Sequence, residues 1–297
     1  MGLTIRTARL ADRERILAIS AQIWEGEDYV PGIIDEWLRM RDSEVAVAEL
    51  NGVVVSFART VNLAPGYVWL EGIRTDVAAQ GHGAGNALTD YFIEKASREG
   101  ATCIGLSTYI DNLASIHLIE KHGFERQASF VLAEATFDSP ARSYARLSSV
   151  VLAVPFDEAR AHIVTSDVMM MSNGFMPQGW KFWPVTRPGV AAWPPLHTAC
   201  GLRDSNGSLR SLLVVCQPDH GADQVAIDFA DGTPEDLDIL LKHALAAFPG
   251  AKSITAMVPA HETTHTALLE ALVALEFDVW RHGEPDVFVY ERPVDMR

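Results

Sequence analysis

Asn51-Gly52 joins two apolar runs, "EVAVAEL" and "VVVSFARTV". A two-residue loop of this type needs φ > 0 at both positions, which Asn and Gly supply at little cost, so the chain must return antiparallel to itself. A third apolar run, "YVWLEGIRT", follows closely and extends the hairpin to a meander. Upstream, "LTIRTA" reads as a strand. Asp12 then opens a helix through "RERILAISAQIW", and Pro31 starts a second helix carrying Ile33, Ile34, Trp37 and Leu38 at helical spacing. An all-parallel sheet is excluded.

The stretch "DVAAQGHGAG" comes next, with Gly81, Gly83 and Gly85 on alternate positions. Leu88, Tyr91, Phe92 and Ala96 then trace one face of a helix that Gly100 is placed to end. The first amides of a helix have no intrahelical partner, and glycines let an anion approach them. A P-loop needs Lys-Ser/Thr after its glycine, whereas Asn86-Ala87 stands here. The dinucleotide fingerprint needs a parallel strand-helix-strand unit and a third glycine where Asn86 lies. "TCIGLSTY" continues as a strand, Asn112 can cap the helix "LASIHLIEKH", Gly123 closes it, and "FERQASFVLAEATF" returns to strand.

Gln80-Gly-His-Gly83-Ala-Gly85 has the Q/R-x-x-G-x-G/A form of the acetyl-CoA loop, and the chain resembles the GCN5-related N-acetyltransferase (GNAT) superfamily. "Ile73-Arg74-Thr75-Asp76" stands where that family has the end of its central strand, and "Asn112…Lys121-His-Gly123-Phe124" matches its asparagine-started helix. The resemblance implies an α+β GNAT fold, a mixed and mostly antiparallel central sheet flanked by helices. It implies acetyl-CoA as cosubstrate. Ile73, Arg74 and Thr75 would lie along the pantetheine arm, with backbone groups of Ile73 and Thr75 pairing to it, and the loop Gln80, Gly81, His82, Gly83, Ala84, Gly85 and Asn86 would bind the pyrophosphate. Asn112 would contact the cosubstrate near the thioester.

Only a neutral amine attacks a thioester, so the chemistry needs a base. Glu71 has the strand parity of Ile73 and Thr75, counted by alternation, and Trp69 is close enough to shield it from water. The same residue also suits a strand glutamate salt-bridged to Arg74. Where many family members carry a tyrosine to protonate the leaving thiolate, this chain has Ile119, so Ser115, one turn earlier, and Tyr109, at the end of the preceding strand, are the substitutes. The loop "WEGEDYVPG" resembles the family's acceptor wall, which assigns Glu27, Asp28 and Tyr29 to the substrate. With "LEGIR" and a long second half, it is similar to the histidine N-acetyltransferase branch, which points to a free amino acid or a similar small amine. Peptide or protein N-termini and lysines, an aminoglycoside, or a coenzyme-A-sensing module without transfer are the other readings.

The second half partly repeats the order: "DQVAIDFA", "DGTPEDLDILLKHALAAFPG", "KSITAMVPA", "THTALLEALVALEF" and "DVFVYERP" alternate strand and helix. Its first helix starts Thr233-Pro234-Glu235-Asp236, and those acids would repel a phosphate. The expectation is a catalytic domain over residues 1–150 and a degenerate GNAT-like lobe over 151–297. The 24 basic against 39 acidic residues, net −15, exclude nucleic acid as an expected partner. No apolar run is long enough to span a bilayer, so no membrane partner is expected and the location should be cytoplasmic. Cys103, Cys200 and Cys216 form no metal or disulfide pattern, and "HETTH" lies at a helix start without a third ligand, so no metal is expected. The remaining partner is the amine itself, with a monomer or homodimer both compatible.

Overall fold

The computed structural model describes residues 2–26, 28–136, 150–217, 223–248 and 250–294. Contacts group the chain into two compact units. The first takes in Met1–Leu106, Asn112–Glu125 and Tyr290–Arg297, and the second Ser107–Asp111 and Arg126–Val289.

The first unit opens with strand β1 (Leu3–Thr7), a 3-10 turn, helix α1 (Arg13–Ser20) and helix α2 (Val30–Trp37). Helix α1 ends earlier than its apolar spacing predicts. Past it Trp24 and Glu25 take φ of 45° and 59°, a left-handed pair that no helix accommodates. The meander is β2 (Ser43–Leu50), β3 (Val53–Ala64) and β4 (Tyr67–Thr75), all antiparallel. Its first turn pairs Leu50 with Val53, and Asn51 and Gly52 take φ of 53° and 82°, as the two-residue loop demands. Ile16, Ile19, Ile33, Ile34 and Trp37 of the two helices bury against Val45, Val47 and Phe57, forming a core on one sheet face. Helix α3 (Ala84–Arg98) buries Leu88 and Phe92, strand β5 (Cys103–Tyr109) starts in this unit, and helix α4 (Leu113–Lys121) follows. The strand order is β1-β2-β3-β4-β5, parallel only between β4 and β5.

Strand β6 (Glu125–Thr136) leads into the second unit. There follow β7 (Leu152–Ala153), α5 (Phe156–Thr165), α6 (Asp167–Met171), a separate hairpin β8 (Phe175–Gln178) and β9 (Lys181–Pro184), then β10 (Thr198–Arg203) and β11 (Leu209–Cys216). Strand β12 (Gln224–Asp231), helix α7 (Pro234–Ala247), strand β13 (Ser253–Pro259), helix α8 (Thr266–Ala274), β14 (Asp278–Val279), a 3-10 turn and β15 (Val287–Pro293) complete the chain. The order is β6-β13-β12-β11-β10-β7, with β12 and β13 parallel. Helices α7 and α8 cover one face through Leu237, Leu240, Leu241, Leu268 and Leu272, while α5 and α6 contribute Ala159, Ile163, Val168 and Met169 to a second core with Leu212, Val214 and Phe229. Apart from the β8–β9 hairpin inserted in the second, each unit runs strand, two helices, three-stranded meander, helix, parallel strand, helix. Trp183 and Phe182 are packing residues, Phe182 lying 4.7 Å from the ring of Phe130.

Candidate active site

Strands β4 and β5 pair only from Tyr67↔Cys103 to Trp69↔Gly105. Beyond Trp69, β4 runs on without β5 beside it. Asp76 donates its N–H to the Val55 carbonyl at 2.8 Å, and alternation then turns the backbone groups of Thr75 away from β3, toward that open edge, while the Ile73 carbonyl accepts from Arg74 Nη1 at 3.2 Å. An extended ligand can pair there as an added strand.

The β3–β4 register passes from Phe57↔Arg74 to Arg59↔Glu71, so Gly72 and Ile73 together face Ala58. This is a β-bulge, with Gly72 at φ 68° and the Trp37 ring 2.9 Å from where a Cβ would stand. The bulge overturns the parity count. Glu71 shares a sheet face with Arg74, toward α1 and α2, whereas Thr75 lies on the opposite face, its Oγ1 2.9 Å from Ser56 Oγ.

Glu71 is ion-paired with Arg59 rather than Arg74. Arg59 Nη1 donates to Glu71 Oε1 at 2.6 Å, with side chains 1% and 13% exposed, and the guanidinium lies 4.8 Å from the Trp37 ring centroid. Trp69 is a core residue. Arg74 instead holds Asp28, donating from Nε and Nη2 at 3.2 and 3.0 Å, and Ser20 Oγ donates to the same carboxylate at 2.5 Å. Asp28 is thus turned inward and neutralised, not offered to an incoming amine. The Arg74 guanidinium also lies 4.6 Å from the Trp24 ring and 5.6 Å from that of Tyr29. Tyr29 has an exposed ring face, but its hydroxyl is turned in toward Gly72, and burial first, then the Glu71 charge, push it well above the usual phenol range. Glu27 lies outside the described residues.

At the glycine loop, Asp76 accepts from the Ala78 N–H at 2.9 Å, and Arg15 is bound to the same carboxylate. Arg15 foremost, then that amide, hold Asp76 well below the usual carboxylate range, fixing the loop entrance in charged form. Gly81 and Gly83 both take φ of 80°, and a Cβ at either would meet nothing within 4 Å. Gly83 is the N-cap of α3 without a side-chain cap, and the first turn holds no acid. The first intrahelical bond is from Ala87 N–H to the Gly83 carbonyl at 3.0 Å, so the N–H groups of Ala84, Gly85 and Asn86 point out of the helix start. Gln80 and His82 are exposed on the loop. Lys121 of α4 donates to Asn86 Oδ1 at 3.1 Å, adding a positive charge. Sequence reasoning missed Lys121 because its nearness to Asn86 follows from how α3 and α4 pack. These open backbone positions and dipoles fit a pyrophosphate.

Asn112 caps α4, its Oδ1 accepting from Ser115 N–H at 3.3 Å, and both residues remain accessible at that helix start. Ile119 is fully buried. Tyr109 belongs to the second unit, stacked at 5.2 Å on Trp280. At "HETTH", His265 is buried with Nε2 3.1 Å from the Ala230 carbonyl oxygen, and no group of three His, Cys, Asp or Glu among the described residues could hold a metal.

Residues 12–124 match the Acetyltransferase (GNAT) family. The match covers less than half of the chain and is a likeness of this stretch to that family. The fold is shared more widely. A GCN5-related N-acetyltransferase from Sphaerobacter thermophilus is similar over 98% of this chain and 96% of its own, with 13% identity and a TM-score of 0.64. A glucosamine N-acetyltransferase region of a fungal multi-domain GH3 β-N-acetylglucosaminidase matches 98% of this chain and 38% of its own, with 13% identity and a TM-score of 0.62. At these identities the likeness is one of fold. No curated protein matches the sequence. Among the described residues no helix is long and apolar enough to cross a membrane.

Proposed function

We propose that the GNAT-like domain transfers the acetyl group of acetyl-CoA to the primary amine of a small molecule, a free amino acid being the favoured class. The observation that carries this is the α3 entrance: two glycines held at φ 80° with open space before them, an uncapped helix start without acids, and the open edge of β4 beside it. The amides from Gly81 to Asn86 hold the pyrophosphate, helped by Lys121, and Ile73 and Thr75 pair with the pantetheine arm. Acetyl-CoA supplies the acetyl group. The amine nitrogen forms the new C–N bond, the C–S bond breaks, and the sulfur leaves with its electron pair.

Glu71 receives the amine proton, directly or through one water, on the oxygen that Arg59 does not engage. Asn112 and Ser115 stand at the α4 start, where the Ser115 hydroxyl can protonate the thiolate. With Asp28 locked to Arg74, Tyr29 rather than Asp28 is the acceptor wall. The second unit is read as a degenerate GNAT-like lobe, supported by its repeated element order. Thr233 caps α7 and Glu235 and Asp236 fill its first turn, so no anion site is expected there.

A module that binds acetyl-CoA without transfer is the second reading, favoured by Ile119 in the tyrosine position and by the Arg59–Glu71 pair. Calorimetry with acetyl-CoA and turnover against a panel of amines separates the two. The transferase reading expects Glu71→Gln to lower kcat by roughly 100-fold or more with acetyl-CoA affinity unchanged. Binding without turnover across the panel would support the module.

A further inference from the structure

We propose that the second unit carries a binding site for an organic ammonium ion, formed by Tyr109, Trp180 and Trp280 beside the carboxylates of Glu134 and Asp286. Tyr109 meets Trp180 edge to face at 4.5 Å and stacks on Trp280 at 5.2 Å with 13° between planes. Trp180 and Trp280 nonetheless stay 39% and 38% exposed. Two half-exposed indoles are a costly way to finish a surface. They do offer the negative π faces that attract an alkylammonium ion.

The arrangement is held in place from below. Ser107 Oγ donates to the Trp180 carbonyl at 2.9 Å, and the Trp280 indole N–H donates to Glu134 Oε1 at 3.1 Å. Next to Trp280, Arg281 sits at φ 47°, a strained conformation for a non-glycine residue, with its guanidinium 3.1 Å from Asp111. That turn is built, not incidental.

The charge balance then points to a ligand. Asp286 is 1% exposed; its Oδ1 accepts the Leu132 N–H at 2.9 Å, while its buried Oδ2 has no hydrogen-bond partner. A buried carboxylate oxygen left unpaired is expensive. Glu134 lies directly across from Asp278 in the β6–β14 pairing, a like-charge pair that costs stability. Among the described residues neither Glu134 nor Asp286 has a salt-bridge partner, since the neighbouring Arg281 is engaged with Asp111. Both carboxylates are near enough to act on the Tyr109 phenol, which burial first, then their charges, push upward. A bound cation would relieve the like-charge pair of Glu134 and Asp278 and lie within the field of the Asp286 carboxylate. Aromatic walls select an organic ammonium over a metal ion, whose hydration shell they cannot replace.

The inference stands apart from acetyl transfer, because the test contains no acetyl-CoA. Ligand-observed saturation-transfer NMR on the full chain with tetramethylammonium should show saturable binding, and its neutral isostere neopentyl alcohol should bind at least tenfold more weakly. Trp280→Leu and Glu134→Gln, the latter a partly exposed site that leaves the core intact, should each weaken tetramethylammonium binding at least fivefold. Equal binding of alcohol and cation, or an unchanged affinity in both variants, overturns the site. A chain that proves inactive toward every amine can still bind the cation, so the two readings fail separately.

Discussion

Arg59 is a guanidinium placed in a sheet core with Glu71 as its counter-charge. Removing one partner of a buried pair costs more than the pair ever contributed, so Arg59→Met should destabilise the first unit by about 3–5 kcal/mol. Pairing it with Glu71→Gln should recover part of that loss. Urea unfolding of the three variants checks this; equal midpoints for Arg59→Met and the parent chain would refute it. The second unit holds the opposite case. Asp228 lies in a β12 bulge, where the register passes from Val214↔Phe229 to Val215↔Ile227, and burial pushes it up to about 7. Its carboxyl meets the Cys216 thiol at 3.2 Å and the Gln178 amide at 3.3 Å. Unfolded, the group titrates near ~3.9, so the folded chain keeps a proton that the unfolded chain releases. Stability from this group is full below that lower value, falls as pH rises toward 7, and stays lower above it, a difference of roughly 4 kcal/mol. Asp228→Asn should flatten the dependence and raise the urea midpoint at pH 8. At this scale the sequence shows residue types but not partners. Glu71 is recognisable as a carboxylate on the right strand, yet its partner and its face depend on a one-residue bulge that alternation cannot foresee.

Elements were more legible than contacts because their signals are local. Asn51-Gly52 specifies its turn, Asn112 its helix start, and Gly100 and Gly123 their left-handed exits at φ 77° and 78°. The α3 entrance is the most consequential of these. A β-branched residue at Gly83 is strained by roughly 1–2 kcal/mol in a left-handed conformation, but it meets no neighbour in the protein itself. Gly83→Val should therefore leave the thermal midpoint within a few degrees of the parent while weakening acetyl-CoA at least tenfold, measured by calorimetry. An unchanged affinity would remove the loop from the cosubstrate site. The same chemistry at Thr233-Pro234 predicts no acetyl-CoA heat from the α7 entrance. The stretch from Leu152 to Cys216 was not legible in the same way. Its elements run from two to ten residues, too short for a period to emerge, and α6 has only five. Helix α1 ends at Ser20, and the left-handed turn at Trp24 and Glu25 beyond it has no signal in either residue type.

At the scale of the molecule, the first unit draws its last piece from the far end of the chain. Tyr67, fully buried, donates its hydroxyl to Glu291 Oε1 at 2.8 Å, Tyr290 Oη lies 3.2 Å from Glu120 Oε1, and Val294 N–H donates to the Thr102 carbonyl at 2.9 Å. The family match ends at residue 124, well before Tyr290, Glu291 and Val294. A chain stopped at residue 150 would keep the glycine loop, the bulge and α4, yet Tyr67 would lose a buried charge-assisted partner and the edge near Thr102 a backbone bond. Loss of the first alone costs about 1–3 kcal/mol, a large share of what a small domain has to spare. The truncated chain should therefore show a lower and broader thermal transition and weaker acetyl-CoA binding. Adding residues 151–297 as a separate chain should restore both in part. A truncated chain that melts where the parent does would instead establish residues 1–150 as a self-sufficient domain. It would also reduce the C-terminal segment to a surface attachment.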